Sequence, residues 1–288
     1  MEKRTRTKIE PRQFRSQSRA GEILAIEPQA LDFSYLYTGV PPNERTEDNI
    51  SIVTIHGPLE HHATEQWDSY ESILFRVERA MSGFDVVDIG VTDKPIPPLA
   101  VVLRIDSPGG EAAGATFAHR KLRSLRKKYK IPLYAYANEM AASAAYEIAC
   151  AADEIWLPDT GTIGSIGVIA TLYDRTEQNK RTGFNIALVT SGENKADNHA
   201  DRELTDDIRD RIQARVMKLA NVFWSVVAKA RNTTVDAVAS LEAGVFIGQD
   251  AVSVGIADGV KSWGGFLKTV VTSVSSNDAA ASPKGKIK

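Results

Sequence analysis

Short apolar runs alternate with helical patterns along the middle of the chain. Runs rich in apolar and β-branched residues predict strands at 50–56, 100–106, 133–137, 154–157, 167–172 and 186–190. Helical patterns fall between them, at about 64–81, 110–128, 141–152 and 174–182. Several of the strands are apolar almost throughout, which is typical of strands buried on both faces. The alternation predicts an α/β fold with mostly parallel sheets and helices on both faces.

From Thr205 onward the pattern becomes that of a long amphipathic helix. Thr205 can cap this helix, and Asp206 and Asp207 suit the positive end of its dipole. The apolar stripe contains Ile208, Ile212, Val216, Leu219, Phe223, Val226 and Val227. Shorter helices are expected at about 234–242 and ending near Val254. The sequence therefore predicts a C-terminal helical segment after the sheet.

The two ends differ in composition from the interior. Residues 1–22 carry seven Lys or Arg without helical apolar spacing, so we expect a flexible basic arm that could contact nucleic acid or an acidic partner. Residues 273–288 are rich in small and polar residues, which predicts a disordered tail. We expect a surface loop at 85–99 and a single domain over 23–272, with its family-like core at about 50–260.

Composition and charge exclude some classes of protein. The 288 residues carry 35 Lys+Arg and 37 Asp+Glu, a net charge of −2, which argues against binding nucleic acid by overall charge. The single cysteine, Cys150, has no intramolecular disulfide partner, so a reducing cytoplasm is expected. No run approaches the roughly 18 apolar residues of a membrane span. We therefore expect a cytoplasmic protein without a membrane partner.

Candidate chemistry follows the predicted strands. The turn Asp106-Ser107-Pro108-Gly109-Gly110 can present its amides to an anion or to a developing oxyanion, although such a turn is often only a turn. Because the carboxyl ends of parallel strands meet at one edge of a sheet, the loops after the other strands are expected near this turn.

Three polar side chains lie in those other loops. Ser143 lies near the start of an alanine-rich helix, where it is either an exposed nucleophile or a small packing residue. Ser165 lies in a glycine-rich run, where it can orient a base or satisfy the turn. Lys195 follows the last predicted strand. A lysine is a general base only when burial lowers its pKa, and the polar neighbours here favour an exposed side chain.

Taken in order, five motifs resemble the signal peptide peptidase A family of serine peptidases. They are Asp106-Ser107-Pro108-Gly109-Gly110, Ala141-Ala142-Ser143, Ala151-Ala152-Asp153-Glu154-Ile155, Gly164-Ser165-Ile166-Gly167-Val168 and Ser191-Gly192-x-x-Lys195. The resemblance extends from about residue 50 to about residue 260. It implies a fold like that of the caseinolytic protease and crotonase superfamily, and catalysis by a Ser–Lys dyad without cofactor or metal.

The resemblance also implies a role for each matching residue. These are Ser143 as nucleophile, Lys195 as general base, Ser165 as the hydroxyl that helps to hold the lysine, and the N–H groups of Gly109, Gly110 and Ala144 as the oxyanion hole. The chain departs from the family pattern at Ala144 and Ala145, where glycines often follow the nucleophile. This departure keeps an N–H donor and narrows the pocket beside it.

The implied function is that of a serine endopeptidase acting on protein or peptide substrates. The chain is most similar to the phage head-maturation branch, whose members cleave scaffold and capsid proteins, and we expect a homo-oligomer in the host cytoplasm. A signal-peptide-degrading enzyme, an acyl-CoA enzyme of crotonase type and a non-catalytic assembly protein remain alternatives. A Ser-His-Asp peptidase would need His199, the only histidine after Ser143. An acyl-CoA enzyme would not need the pair Ser143 and Lys195.

Overall fold

The computed structural model describes residues 23–26, 43–62, 67–84 and 95–281. The strands are β1 (Ile23–Ile26), β2 (Glu44–Arg45), β3 (Ile50–His56), β4 (Leu59–Glu60), β5 (Asp68–Ser69), β6 (Ala100–Ser107), β7 (Gly109–Glu111), β8 (Leu133–Ala142), β9 (Glu154–Leu157), β10 (Thr162–Gly164), β11 (Ile169–Ala170), β12 (Val245–Ile247) and β13 (Gly259–Val260). The helices are α1 (Tyr70–Ser82), α2 (Ala115–Tyr129), α3 (Ala144–Ala149), α4 (Thr176–Thr182), α5 (Asp206–Ala230), α6 (Val235–Ala239), α7 (Gln249–Ser253) and α8 (Trp263–Ala281), and a 3₁₀ turn covers Glu193–Ala196.

The main sheet has the strand order β12-β10-β8-β6-β3-β2. Its central strands β3, β6, β8 and β10 are parallel, and the edge strands β2 and β12 are antiparallel to their neighbours. The first part of β8 pairs with β9 and its last part pairs with β10. This mostly parallel arrangement confirms the predicted α/β class.

Helices cover both faces of the main sheet. On one face, Ile73 of α1, Leu122 of α2 and Ile148 of α3 are fully buried in a large apolar cluster that includes Leu103 of β6. On the other face, α8 packs against β6 and β8 in a second cluster. The Phe266 ring stacks on the Tyr136 ring with 5.0 Å between centroids. Burial on both faces explains why the central strands are apolar almost throughout.

A second, smaller sheet begins where β6 ends. Its strand order is β11-β1-β7-β4-β5, with β1 antiparallel to both β7 and β11. Gly110 of β7 lies directly against Leu59 of β4, and a Cβ atom at position 110 would lie 1.8 Å from the Leu59 carbonyl oxygen. Only glycine fits at this position, so close backbone approach explains Gly110, while Gly109 has φ 97°, a conformation that favours glycine.

Three predicted elements near the candidate site were wrong in whole or in part. The helix predicted over 141–152 begins only at Ala144, because Ala141 and Ala142 continue β8 and pair with β10. The segment 186–190 forms no strand. In the part of the chain that the structure describes it has no neighbouring strand, and Val189 is 96% exposed. The strand predicted over 167–172 is reduced to β11.

The disordered tail predicted from Ser273 was also wrong for its first residues. Helix α8 continues to Ala281, because Val274 extends the buried stripe formed by Phe266 and Val270. Residues 282–288, the basic arm at 1–22 and residues 85–94 of the predicted loop lie outside the described residues. Among the described helices, none combines the length and the apolar composition that crossing a membrane requires.

Candidate active site

Ser143 forms the junction between β8 and α3. Its backbone has φ 52° and ψ −122°, a conformation that non-glycine residues rarely adopt. The backbone N–H of Ser143 donates to the Gly164 carbonyl at 2.8 Å, and its hydroxyl lies 3.4 Å from the Gly167 carbonyl as a weak donor. The residue is 1% exposed. Strained backbone held in this way is concentrated at functional sites, so the geometry agrees with the predicted position of the nucleophile.

The loop after β10 is held from two sides. Gly164 has φ 125°, and a Cβ atom there would lie 2.4 Å from the Gly244 carbonyl oxygen. Ser165 also has positive φ, and its N–H donates to the same carbonyl at 2.9 Å. The Trp224 indole N–H of α5 donates to the Ile166 carbonyl at 2.9 Å. These contacts fix the buried Ser165 beside the segment that touches the candidate nucleophile.

The candidate oxyanion donors come from β7 and α3. Ser107 at the end of β6 pairs with Ala141, so β7 and the start of α3 leave the sheet at the same edge. The Gly109 N–H already donates to the Ser107 hydroxyl at 3.2 Å. Ala144 is the first residue of α3, and its N–H therefore has no acceptor within the helix. Gly110 is the middle residue of β7 and is paired with Leu59 of β4 and with Ala25 of β1.

Lys195 makes no hydrogen bond to Ser143 in the part of the chain that the structure describes. It lies in the 3₁₀ turn Glu193–Ala196 and is exposed. Within the described ranges, its ammonium group makes no hydrogen bond or ion pair. His199, the alternative base, is also half exposed. Its ring lies 3.7 Å from Asp201, and no hydrogen bond joins it to Ser143 among the described residues.

The segment just before Lys195 exposes several large apolar side chains. Residues 184–191 form no helix or strand and are exposed throughout. Within this segment Phe184 is 66% exposed and Val189 is 96% exposed, and Ile186 and Leu188 also face solvent. Exposed apolar patches on this scale mark surfaces that contact other chains or ligands. The candidate base therefore follows an apolar segment that no other described residues of the chain cover.

A buried carboxyl group was missed by the sequence analysis. Glu147 lies one helical turn after Ser143, is 2% exposed, and accepts a hydrogen bond from the Thr116 hydroxyl at 2.6 Å. Burial raises the pKa of Glu147 to about 7. The His119 ring nitrogen Nδ1 lies 3.0 Å from the Glu147 carbonyl oxygen, and burial lowers the pKa of His119. A single acidic residue in the alanine-rich run 141–152 was the signal available in the sequence.

A cavity of 970 Å³ lies between the loop after β10 and α5. The loop after β10 forms one wall through Ser165 and Gly167, and α5 forms the other. The α5 wall is mostly apolar and includes Ile212, Val216, Met217, Ala220 and Trp224. Gly167, whose carbonyl accepts the weak hydrogen bond from the Ser143 hydroxyl, lines this cavity, whereas Ser143 itself is not among its lining residues.

Cys150 lies at the end of α3, the helix that follows Ser143. Cys150 is fully buried, and burial raises the pKa of its thiol to about 12, which keeps it protonated and unreactive. Within the described ranges, no group of three or more His, Cys, Asp or Glu side chains is arranged to hold a metal ion.

The family model described as Peptidase family S49 matches residues 125–277, which include Ser143, Ser165 and Lys195 but not Gly110. The head-tail preconnector protein GP5 of Enterobacteria phage P21 is 29% identical over 238 residues, 81% of this chain and 45% of that protein. The capsid assembly protease C of Escherichia phage lambda is 31% identical over 189 residues, 66% of this chain and 40% of that protein. The chain thus spans less than half the length of these relatives.

Solved structures give a weaker likeness. A peptidase from Plasmodium falciparum aligns with TM-score 0.42 and 12% identity, over 73% of this chain and 94% of that one. A ClpP1 mutant from Listeria monocytogenes aligns with the same score and identity, over 73% and 90% of the two chains. Scores this low add nothing to the family match.

Proposed function

The chain belongs to peptidase family S49, and we propose that it is a serine endopeptidase whose dyad is Ser143 and Lys195. The observation that carries the proposal is the strained, buried position of Ser143 between β8 and α3. A nucleophilic serine needs to be held beside donors for the oxyanion, and both β7 and the start of α3 leave the sheet at this edge.

The proposed reaction has two halves. Ser143 Oγ bonds to the carbonyl carbon of the substrate while its proton passes to the neutral amine of Lys195. The N–H groups of Gly110 and Ala144 stabilise the oxyanion, and each such donor is worth about 10²–10³ in rate. The proton then passes to the leaving amine as the peptide bond breaks. Water attacks the acyl-enzyme with Lys195 again as base, which releases the acid and restores Ser143.

We propose that a second copy of the chain completes the site. Lys195 needs a buried environment to act as a base, and the single chain leaves it exposed. The apolar segment 184–191 beside it is equally uncovered, and Phe184 and Val189 would gain burial against another copy. An interface over this segment would bury the apolar side chains and the lysine together. Ser143 of one copy would then meet Lys195 of another.

The proposed substrates are phage head proteins. The two relatives described above are phage proteins, one named as a capsid assembly protease. We therefore propose cleavage of scaffold or capsid proteins in the host cytoplasm or the assembling head. The apolar cavity beside Gly167 is proposed to hold an apolar substrate side chain next to the bond that is cut.

The proposal is tested by degradation of β-casein, an unstructured protein substrate. Ser143→Ala and Lys195→Ala are expected to lose at least about 10³-fold in kcat/KM, as expected for members of a catalytic unit. Lys180→Ala, which removes an exposed lysine paired with Glu177 at the surface, is the matched control and should retain activity. Undiminished cleavage by Lys195→Ala would refute the dyad.

Mixing the two inactive variants tests whether the site spans two copies. Ser143→Ala mixed with Lys195→Ala should regain part of the activity, because some interfaces then combine an intact Ser143 with an intact Lys195. No recovery after confirmed subunit exchange would place both residues in one chain. Inactivity of every form, including wild type, would favour a non-catalytic assembly protein.

A further inference from the structure

Strand β1 lies between β7 and β11 in the smaller sheet. Its register is antiparallel to both neighbours: Leu24 is opposite Glu111 on one side and Ile169 on the other, and Ile26 is opposite Gly109. The two flanking strands pair with β1 and not with each other. Strand spacing is about 4.8 Å, so β7 and β11 lie about 10 Å apart with room for one strand between them.

The groove that β1 fills leads to Ser143. Strand β7 begins at Gly109, beside the predicted oxyanion donor. Strand β11 begins two residues after Gly167, whose carbonyl lies 3.4 Å from the Ser143 hydroxyl. Continuing the β1–β11 register by two residues sets Ile26 level with Gly167 as well as with Gly109. The Ile26 end of β1 is therefore the end nearest the candidate nucleophile.

We infer that residues 23–26 occupy, within the same chain, the groove in which an extended polypeptide substrate would add as a strand. This inference rests on the proposed peptidase function. Strand addition recognises main-chain N–H and C=O groups and tolerates many side chains. A substrate that runs toward Ser143 in the same direction as β1 would pair with the same groups of β7 and β11. The chain thus holds its own strand in place of the substrate.

The consequence is competition between β1 and substrate. A protein whose binding-competent state is only a fraction of the population binds with an apparent affinity reduced by that fraction. Displacing β1 should therefore strengthen binding of an extended polypeptide without any change in the groove itself. Binding can be measured in a Ser143→Ala background, so that the readout does not depend on catalysis.

The first test uses the substitution Ala25→Pro in that background. Proline removes a main-chain donor and does not fit between two paired strands. Ala30→Pro, outside the strand, is the matched control. The probe is fluorescein-labelled β-casein, followed by fluorescence anisotropy. We expect Ala25→Pro to bind about tenfold tighter than its parent and Ala30→Pro to bind like the parent. Equal binding by all three, with unchanged circular dichroism, would overturn the inference.

A second test fixes β1 in place, and its result does not depend on whether the proline variant folds. Leu24 and Glu111 are directly paired, and cross-strand Cα separations of about 4.5–5.5 Å suit a disulfide. In Leu24→Cys/Glu111→Cys, the oxidised protein should bind the probe at least about tenfold more weakly than the same protein after reduction. Cys150 is buried and does not interfere. Equal binding before and after reduction would overturn the inference.

The two readouts separate this inference from the proposed function. Tighter probe binding by Ala25→Pro together with no Ser143-dependent cleavage of β-casein would support the self-occupied groove and refute the peptidase. Ser143-dependent cleavage of β-casein with no change in probe binding would support the peptidase and refute the self-occupied groove.

Discussion

Replacing the buried carboxyl group of Glu147 should change how the stability of the protein depends on pH. Glu147 is 2% exposed on the helix that follows Ser143, and its only described side-chain hydrogen bond comes from Thr116. Burial raises the pKa of Glu147 to about 7, because the charged carboxylate loses its hydration and the single hydrogen bond from Thr116 does not replace it. The substitution Glu147→Gln keeps the shape of the side chain and removes the titration.

The magnitude follows from the raised pKa. In the folded state the carboxyl binds its proton more tightly than in the unfolded chain, so its contribution to stability is fully present below about pH 4.5 and is lost as pH rises through about 7. At about 1.4 kcal/mol for each pH unit, the free energy of unfolding falls by about 3 kcal/mol over this range. The free energy of unfolding of Glu147→Gln should not show this fall.

The assay is urea unfolding of wild type and Glu147→Gln at about pH 4.5, 6 and 8. His119, whose pKa is lowered by burial, titrates in both proteins, so the difference between their unfolding free energies isolates Glu147. The stability of the variant relative to wild type should rise by about 3 kcal/mol from the lowest to the highest pH. A difference that stays constant with pH would refute the buried-carboxyl argument.

Three further substitutions test the packing around the site. Arg76→Ala leaves the buried carboxylate of Asp68 without its ion-pair partner and should lower the free energy of unfolding by about 3–5 kcal/mol in urea titrations. Gly110→Ala forces a Cβ atom to 1.8 Å from the Leu59 carbonyl oxygen, so both Tm and β-casein cleavage should fall, whereas Gly264→Ala, with open space around it, should lower neither. Phe266→Ala removes the ring stacked on the main sheet and should cost about 3–5 kcal/mol, measured by thermal unfolding.

Each of these outcomes has a clear contrary result. Wild-type stability in Arg76→Ala would mean that the pair with Asp68 is not held as the structure has it. An unchanged Tm in Gly110→Ala would mean that β4 and β7 are not in close contact. A loss below about 1 kcal/mol for Phe266→Ala would mean that α8 does not cover the sheet.

The sequence predicted the main sheet well because its strands are buried on both faces. In an α/β fold, a continuous apolar run such as 100–106 indicates a strand that helices cover on both faces. The run 186–190 has the same composition but is exposed in the single chain. Composition alone does not distinguish an apolar strand covered by its own chain from an apolar segment that another chain would cover.

The smaller sheet and the buried carboxyl group of Glu147 have weaker signals in the amino-acid sequence. Strands β7 and β11 have three residues and two residues, which is too short for any periodicity to develop. The pairing of β1 joins residues far apart in the chain, which local patterns do not reveal. Glu147 interrupts an apolar run, yet its burial follows from the packing of α3 against α2, which the sequence pattern does not specify.

Covalent labelling of the serine would test the proposed dyad most directly. Wild type, Ser143→Ala and Lys195→Ala would be treated with a fluorophosphonate, weighed as intact chains and mapped by peptide mass. The proposal predicts one adduct per chain on the peptide containing Ser143, formed faster as pH rises from about 5 to about 9 and at least about 10²-fold more slowly in Lys195→Ala. An adduct on another residue, or labelling of Ser143 at the same rate in Lys195→Ala, would contradict it.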